Sequence, residues 1–267
     1  MITINMVEAN LIKIEDISIE QLASICDHTF LNRSEAFKHV AKKGQSSIKL
    51  RSVSFQQFLE KTINLRFLPF SVCVRPEEVS HTVKFLKDNN RSRIKVASVI
   101  GFPDGSLYGT DFKVAETNLA IDHGADEIDM VLNILKFKEG DFNFVKEDIN
   151  AVVTAAHAKG AIVKLILENS ELNLEETRKI CELANETNLD FVKTSTGFSG
   201  SGAKFEDLKV MRDVFKKGVK MSGGVKMMNV KELLTAVSGR TDGLIELNPN
   251  KIRIGESSLL SGAKADY

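Results

Sequence analysis

Short β-branched runs alternate with charge-rich, amphipathic segments along nearly the whole chain, at intervals of roughly 30 residues, the pattern of parallel βα units. The runs fall at residues 24–27, 70–74, 94–100, 127–132, 162–167, 191–194 and 218–222. An eighth lies within 244–255 and reads either as one strand or as a strand plus a loop holding Pro249. Between them, segments 110–123, 144–159, 174–187, 204–217 and 228–237 space their apolar residues for helices. In the fourth, Phe205, Leu208, Met211 and Phe215 form one face, and Lys204, Asp207, Arg212 and Lys216 the solvated other. The alternation predicts an α/β fold, a single (β/α)₈ TIM barrel spanning 1–267, with an N-terminal helical extension and a long first connection at 31–68 holding one or two helices. An open doubly wound sheet would carry a glycine-rich dinucleotide fingerprint after its first strand, and none is present.

Lys+Arg and Asp+Glu balance at 36 each, which removes the global electrostatic case for a nucleic-acid or membrane-surface partner. Cys26, Cys73 and Cys181 are isolated, with no C-x-x-C pattern, so neither a disulfide framework nor a zinc site is expected. Residues 1–13 lack the apolar stretch of a secretion signal, and no run of about 18 apolar residues could span a bilayer. A cytoplasmic protein with no membrane partner and no metal is the expectation.

In such a barrel, chemistry gathers at the C-terminal ends of the strands. Asp27, Cys73, Asp129, Lys164, Glu168, Lys193 and Lys220 stand there, an unusually ionic set. Inward lysines can simply form ion-paired layers, but several charges converging on one mouth point to function. Lys193 and Lys220 end consecutive short strands, in Phe191-Val192-Lys193 and Gly218-Val219-Lys220. A lysine attacks a carbonyl only as the neutral amine, and its ordinary pKa of about 10.4 leaves roughly one in a thousand ready near neutrality. A second ammonium about 5 Å away opposes protonation by roughly 3 kcal/mol at an effective dielectric of about 20. The pair therefore suggests Schiff-base chemistry on one of the two lysines, with Asp129 as the carboxylate that moves protons. Ser222-Gly223-Gly224-Val225-Lys226 and Gly255-Glu256-Ser257-Ser258 follow the last two strands and have the composition of a phosphate cradle.

Five strings resemble the deoxyribose-phosphate aldolase family of class I aldolases: Asp27-His28-Thr29-Phe30-Leu31, Val99-Ile100-Gly101-Phe102-Pro103, Gly124-Ala125-Asp126-Glu127-Ile128-Asp129, Lys193-Thr194-Ser195-Thr196-Gly197-Phe198 and Ser222-Gly223-Gly224-Val225. The resemblance runs from about Asp27 to Leu260. It implies cofactor-free cleavage of 2-deoxy-D-ribose 5-phosphate to acetaldehyde and D-glyceraldehyde 3-phosphate, in deoxyribonucleoside catabolism, by a homo-oligomer with a dimer as the favoured state. Carried over by motif, Lys193 is the Schiff-base lysine, Lys220 its activator and Asp129 the acid/base group. Asp27 and Thr29 would lie near the substrate hydroxyls, and Lys164 in the supporting polar network. Gly197, Gly223, Gly224, Lys226, Ser257 and Ser258 match phosphate-site positions.

The chain departs from that pattern at Lys226, where an arginine is frequent, and at Glu256, where a small neutral residue is usual. An inward Glu256 would weaken phosphate binding. His28 is expected to be a structural hydrogen-bonding residue, Cys73 a small buried one, and Tyr267 a solvated terminus unless it reaches the site. The competing readings are a Schiff-base aldolase for another phosphorylated sugar and a barrel without turnover that serves as a binding or scaffold protein.

Overall fold

A computed structural model describes residues 11–261; Tyr267 lies outside the described residues. Strand β1 (Leu11–Lys13) and helix α1 (Ile19–Ala23) precede the barrel. Its strands are β2 (Cys26–Thr29), β3 (Ser71–Val74), β4 (Lys95–Ile100), β5 (Glu127–Val131), β6 (Ile162–Ile166), β7 (Phe191–Lys193), β8 (Gly218–Ser222) and, after β9 (Leu244–Glu246), β10 (Ile252–Glu256). They close as a parallel barrel in the order β10-β2-β3-β4-β5-β6-β7-β8. The helices α2 (Ser47–Ile63), α3 (Val79–Asp88), α4 (Thr110–Asp122), α5 (Ile134–Lys138), α6 (Phe142–His157), α7 (Leu174–Asn185), α8 (Phe205–Val214) and α9 (Val230–Ser238) lie in the connections. This is the (β/α)₈ fold that the alternation predicts.

Three elements differ from the sequence expectation. The first barrel strand starts at Cys26, not residue 24, because α1 is fixed by a capping box in which Ser18 and Gln21 exchange side-chain and backbone hydrogen bonds. Its last turn then consumes residues 24 and 25, and Asp27 moves from the strand end into the strand. Residues 244–255 divide: β9 pairs antiparallel with β1, through Leu11↔Glu246 and Lys13↔Leu244, before the chain turns into β10. The N-terminal extension is thus part strand rather than wholly helical. The long connection holds the 17-residue α2, whose Phe55, Phe58 and Leu59 are buried.

The apolar core lies in two places. The larger part sits between sheet and helices, where outward strand residues such as Val72, Ile128, Leu165 and Val219 meet helix faces such as Val145, Ile149, Val152 and Ala156 of α6. Their i, i+4, i+7 spacing forms the buried stripe of that helix. A smaller cluster of Cys73, Ala97, Val99, Val131 and Ile166 with Leu31 and Phe102 fills one side of the barrel interior. The other side is ionic.

Helix α4 sends the fully buried Lys113 against Asp148 of α6, Nζ to Oδ2 at 2.6 Å, and the same ammonium donates to the carbonyl of Val131 at 3.2 Å. The pair pins the end of β5, two residues beyond Asp129. Replacing Asp148 by Ala leaves a buried ammonium uncompensated and is expected to destabilise by about 3–5 kcal/mol in urea unfolding. A loss below about 1 kcal/mol would mean that water reaches Lys113 freely.

Candidate active site

Alternation along the strands turns Asp27, Ser71, Glu127, Asp129, Lys164, Lys193, Lys220 and Arg253 into the barrel, where contacts such as those of Lys193, Lys220 and Arg253 to β5 cross between non-neighbouring strands. Asp129 is the hub. Its Oδ2 accepts from Lys193 Nζ at 2.9 Å and Lys220 Nζ at 2.8 Å, and its Oδ1 from Lys164 Nζ at 2.8 Å. Lys164 also donates to Glu127 at 2.6 Å. Lys220 Nζ lies 2.6 Å from Asp27 Oδ2, an ion pair set off the hydrogen-bond axis. Below them Arg253 forks onto Asp27 and Glu127, with Ser71 donating to Asp27 at 2.7 Å.

Lys193, Lys220 and Arg253 are direct register partners on three adjacent strands, so like charges stand side by side and the carboxylates reach them from β2 and β5. Burial opposes charge on Lys220, but Asp129 and then Asp27 outweigh it and hold this lysine above the ordinary range. Lys164 is raised the same way, burial being overcome by Asp129 and Glu127. For Asp129, burial is overcome by Lys164, Lys193 and Lys220, which keep its carboxyl well below the usual carboxylate range. Asp27 is likewise depressed, by Arg253 and Lys220 against burial. Burial, then Asp129, pushes the Cys73 thiol up, which fits a small buried residue. The layer holds four cations, Lys164, Lys193, Lys220 and Arg253, against the three carboxylates Asp27, Glu127 and Asp129.

A pocket of about 310 Å³ opens above this layer. Lys193 lines it, and Lys220, Lys164 and Arg253 do not. The exposures agree, 3% for Lys193 and 0% for the other three. Thr29, Gly197, Gly223, Gly224, Lys226, Ser257 and Ser258 are all brought to the same pocket. Asp27 and Lys164 are not; the strand shift at Cys26 sinks Asp27 beneath the floor, so its expected place near substrate hydroxyls becomes one beneath Lys220. Gly255 leaves the room Lys220 needs: a Cβ there would meet Lys220 Cε at 3.2 Å and Ser222 Cβ at 2.9 Å. Gly202 and Gly223 press the two loops together, since a Cβ on Gly202 would fall 2.0 Å from the Gly223 carbonyl oxygen.

Among the described residues, no protein acceptor takes the backbone N–H of Gly197, Gly224, Val225, Ser257 or Ser258. Asn229 clamps the β8 loop instead at its edges, accepting from Lys226 N–H at 2.7 Å and donating to the Gly224 carbonyl at 3.0 Å. Lys226 is exposed at the rim. Glu256 pairs in register with His28 and points out of the barrel, where its Oε1 lies 2.6 Å from His28 Nδ1 and its Oε2 accepts from Leu259 N–H at 2.5 Å. His28 stacks on Phe58 of α2 at 4.7 Å, a structural role as expected from the sequence. Arg253, Glu127 and Ser71 were not anticipated; the signal for Arg253 was its place between Ile252 and Ile254 in an alternating run. Among the described residues, no cluster of His, Cys, Asp and Glu could hold a metal ion, and no helix is long and apolar enough to cross a membrane.

Residues 22–244 match the family model described as DeoC/LacD family aldolase. The deoxyribose-phosphate aldolase of Clostridium perfringens (strain 13 / Type A) is 42% identical over 215 residues, 80% of this chain and 86% of that one. That of Aciduliprofundum boonei is 48% identical over 170 residues, 63% of this chain and 74% of its own. A crystal structure from Coccidioides immitis, named as a candidate deoxyribose-phosphate aldolase, superposes with a TM-score of 0.67 at 33% identity, over 91% of this chain and 84% of that one. With an intact lysine-rich barrel floor beneath a loop-lined pocket, and a match over most of its length, the chain belongs to the DeoC/LacD family of aldolases.

Proposed function

We propose that this protein cleaves 2-deoxy-D-ribose 5-phosphate reversibly to acetaldehyde and D-glyceraldehyde 3-phosphate, through an imine on Lys193. The relatives named deoxyribose-phosphate aldolase support the substrate. The observation that carries the assignment of Lys193 is its position: of the four buried cations in the barrel layer it alone lines the pocket. Lys220 is committed to two carboxylates, which hold it an ammonium beside its register neighbour Lys193.

The neutral amine of Lys193 adds to the C1 aldehyde of the open-chain sugar, and the carbinolamine loses water to give the protonated imine. As the C3 hydroxyl gives up its proton, the C2–C3 electron pair flows into the iminium, leaving an enamine and releasing glyceraldehyde 3-phosphate. The enamine carbon then takes a proton, and water hydrolyses the acetaldehyde imine to regenerate the amine. Asp129 Oδ2 touches both lysines and remains a carboxylate, so it is the acceptor for these transfers, with the Lys220 ammonium as donor on the same oxygen. The free N–H groups of the β7, β8 and β10 loops would receive the phosphate, with Lys226 as a point charge at the rim. Glu256, directed away and engaged by His28 and Leu259, does not oppose it.

Borohydride reduction in the presence of acetaldehyde is expected to leave an ethyl group on Lys193, located by peptide mapping. The same label on Lys220 would reverse the roles of the two lysines. Lys220→Leu deletes the neighbouring ammonium while Asp27 and Asp129 keep their charge, so protonation of Lys193 becomes easier. The acid limb of kcat/KM is then expected to move to higher pH. An unchanged limb would rule out the like-charge mechanism.

A further inference from the structure

Beyond β6 the chain passes through Glu168 with φ at 54°, the left-handed region that side-chain-bearing residues rarely adopt. Such a conformation persists only where its surroundings hold it, and it gathers at functional sites. The surroundings here are specific. The turn swings the buried carboxylate of Glu168 across to the β7 loop, where its Oε2 accepts both the N–H of Thr196, at 3.1 Å, and the Thr196 hydroxyl in a short contact. Its Oε1 lies 3.3 Å from the Ser170 hydroxyl.

With its proton given to Glu168, the Thr196 hydroxyl keeps its lone pairs for one further partner, and it accepts from Phe198 N–H at 3.0 Å. The N–H groups on either side of Gly197 are therefore both consumed, one by Glu168 directly and one through the hydroxyl that Glu168 orients. Gly197 itself, at φ 83°, keeps its N–H without an acceptor among the described residues, at the edge of the pocket.

We propose that Glu168 is a positioning residue for phosphate recognition: by tying down the N–H groups of Thr196 and Phe198 it selects Gly197 N–H as the donor that the loop offers to the substrate's phosphate. This rests on the phosphate placement given above. The turn does meet β7, through Leu167 N–H on the Lys193 carbonyl at 2.8 Å and Asn169 N–H on the Thr194 carbonyl at 2.9 Å. These are backbone bonds that the Glu168 side chain does not make, and the Lys193 amine is held by Asp129, so the carboxylate of Glu168 stands apart from the chemistry. A glutamine can still accept both Thr196 donors on its amide oxygen, with the Ser170 hydroxyl turning to accept from its NH₂. An alanine can do neither.

The test compares wild type, Glu168→Ala, Glu168→Gln and Thr196→Val on 2-deoxyribose 5-phosphate and on unphosphorylated 2-deoxyribose, with acetaldehyde trapping as a readout of Lys193. Glu168→Ala is expected to raise KM for the phosphorylated sugar about tenfold or more, with kcat within about threefold of wild type, and to weaken inhibition by inorganic phosphate in parallel. Cleavage of the unphosphorylated sugar and acetaldehyde trapping should not change, and Glu168→Gln should restore KM to within about threefold. If Glu168→Ala does not fold, as read by circular dichroism, Thr196→Val carries the test, with a KM rise confined to the phosphorylated sugar. Equal losses on both sugars, or an unchanged KM for the phosphorylated one, would overturn the role of Glu168 while leaving the proposed activity standing. A wild-type enzyme with no preference for the phosphorylated sugar would instead remove the phosphate placement, and this inference with it.

Discussion

One carboxylate, that of Asp129, receives three ammonium groups, and the barrel interior depends on it. Lysine in a low-dielectric interior is costly unless paired, and the register makes matters worse by setting Lys193 beside Lys220 and Lys220 beside Arg253. Lys193 and Lys220 cannot relieve each other, and the carboxylates that Lys220 pairs with stand on strands that do not adjoin its own. Relief comes across the barrel, from Asp129 and Glu127 on β5 and Asp27 on β2. The floor is a set of interlocked pairs in which Asp27, Glu127 and Asp129 each serve more than one cation. Of its four cations, Lys193 alone borders the pocket.

The ionic half of the interior faces an apolar half, and the two meet at Asp129, whose Oδ2 lies 3.9 Å from the Cys73 sulfur. Ala97, Val99, Val131 and Ile166 exclude water from the side of the network that the pocket does not reach. Charges with an apolar wall behind them interact more strongly than the same charges in water, which favours a fixed proton inventory on Asp129 and Lys220. Lys113 and Asp148 extend the same logic outside the barrel, holding the end of β5 that carries the hub.

Much of this was legible in the sequence. Strands β3 to β8 end in polar or glycine-rich turns that mark their boundaries, and Lys193, Lys220 and Asp129 stand out because charged residues at the ends of apolar runs are unusual. What escaped detection depended on contacts distant in sequence. The β1–β9 ladder joins two three-residue strands more than 200 residues apart, too short to show a period. Arg253 was hidden because residues 244–255 fit two readings until β9 and β10 were separated. Asp27 was placed too near the mouth because the last turn of α1 takes up residues 24 and 25 and the strand runs on to Thr29. The contact between Glu168 and Thr196 requires a left-handed glutamate, a conformation that no local pattern of side chains announces.

Glu256 illustrates how a departure at one position is absorbed by geometry. In β10, Arg253 and Gly255 face the interior, so Glu256 must face the helices, and there His28, held against Phe58, meets its carboxylate. The second oxygen takes Leu259 N–H, while the N–H groups of Ser257 and Ser258 stay unspent. Glu168 does the same on the opposite side, taking Thr196 N–H and leaving that of Gly197. Two carboxylates thus stand behind the β7 and β10 loops at the pocket, each taking one backbone N–H and so fixing which neighbouring N–H groups remain free. Acidic residues next to an anion pocket would ordinarily count against it. Here both are engaged by hydrogen-bond partners of their own, and their effect on the pocket is exerted through the turns they hold.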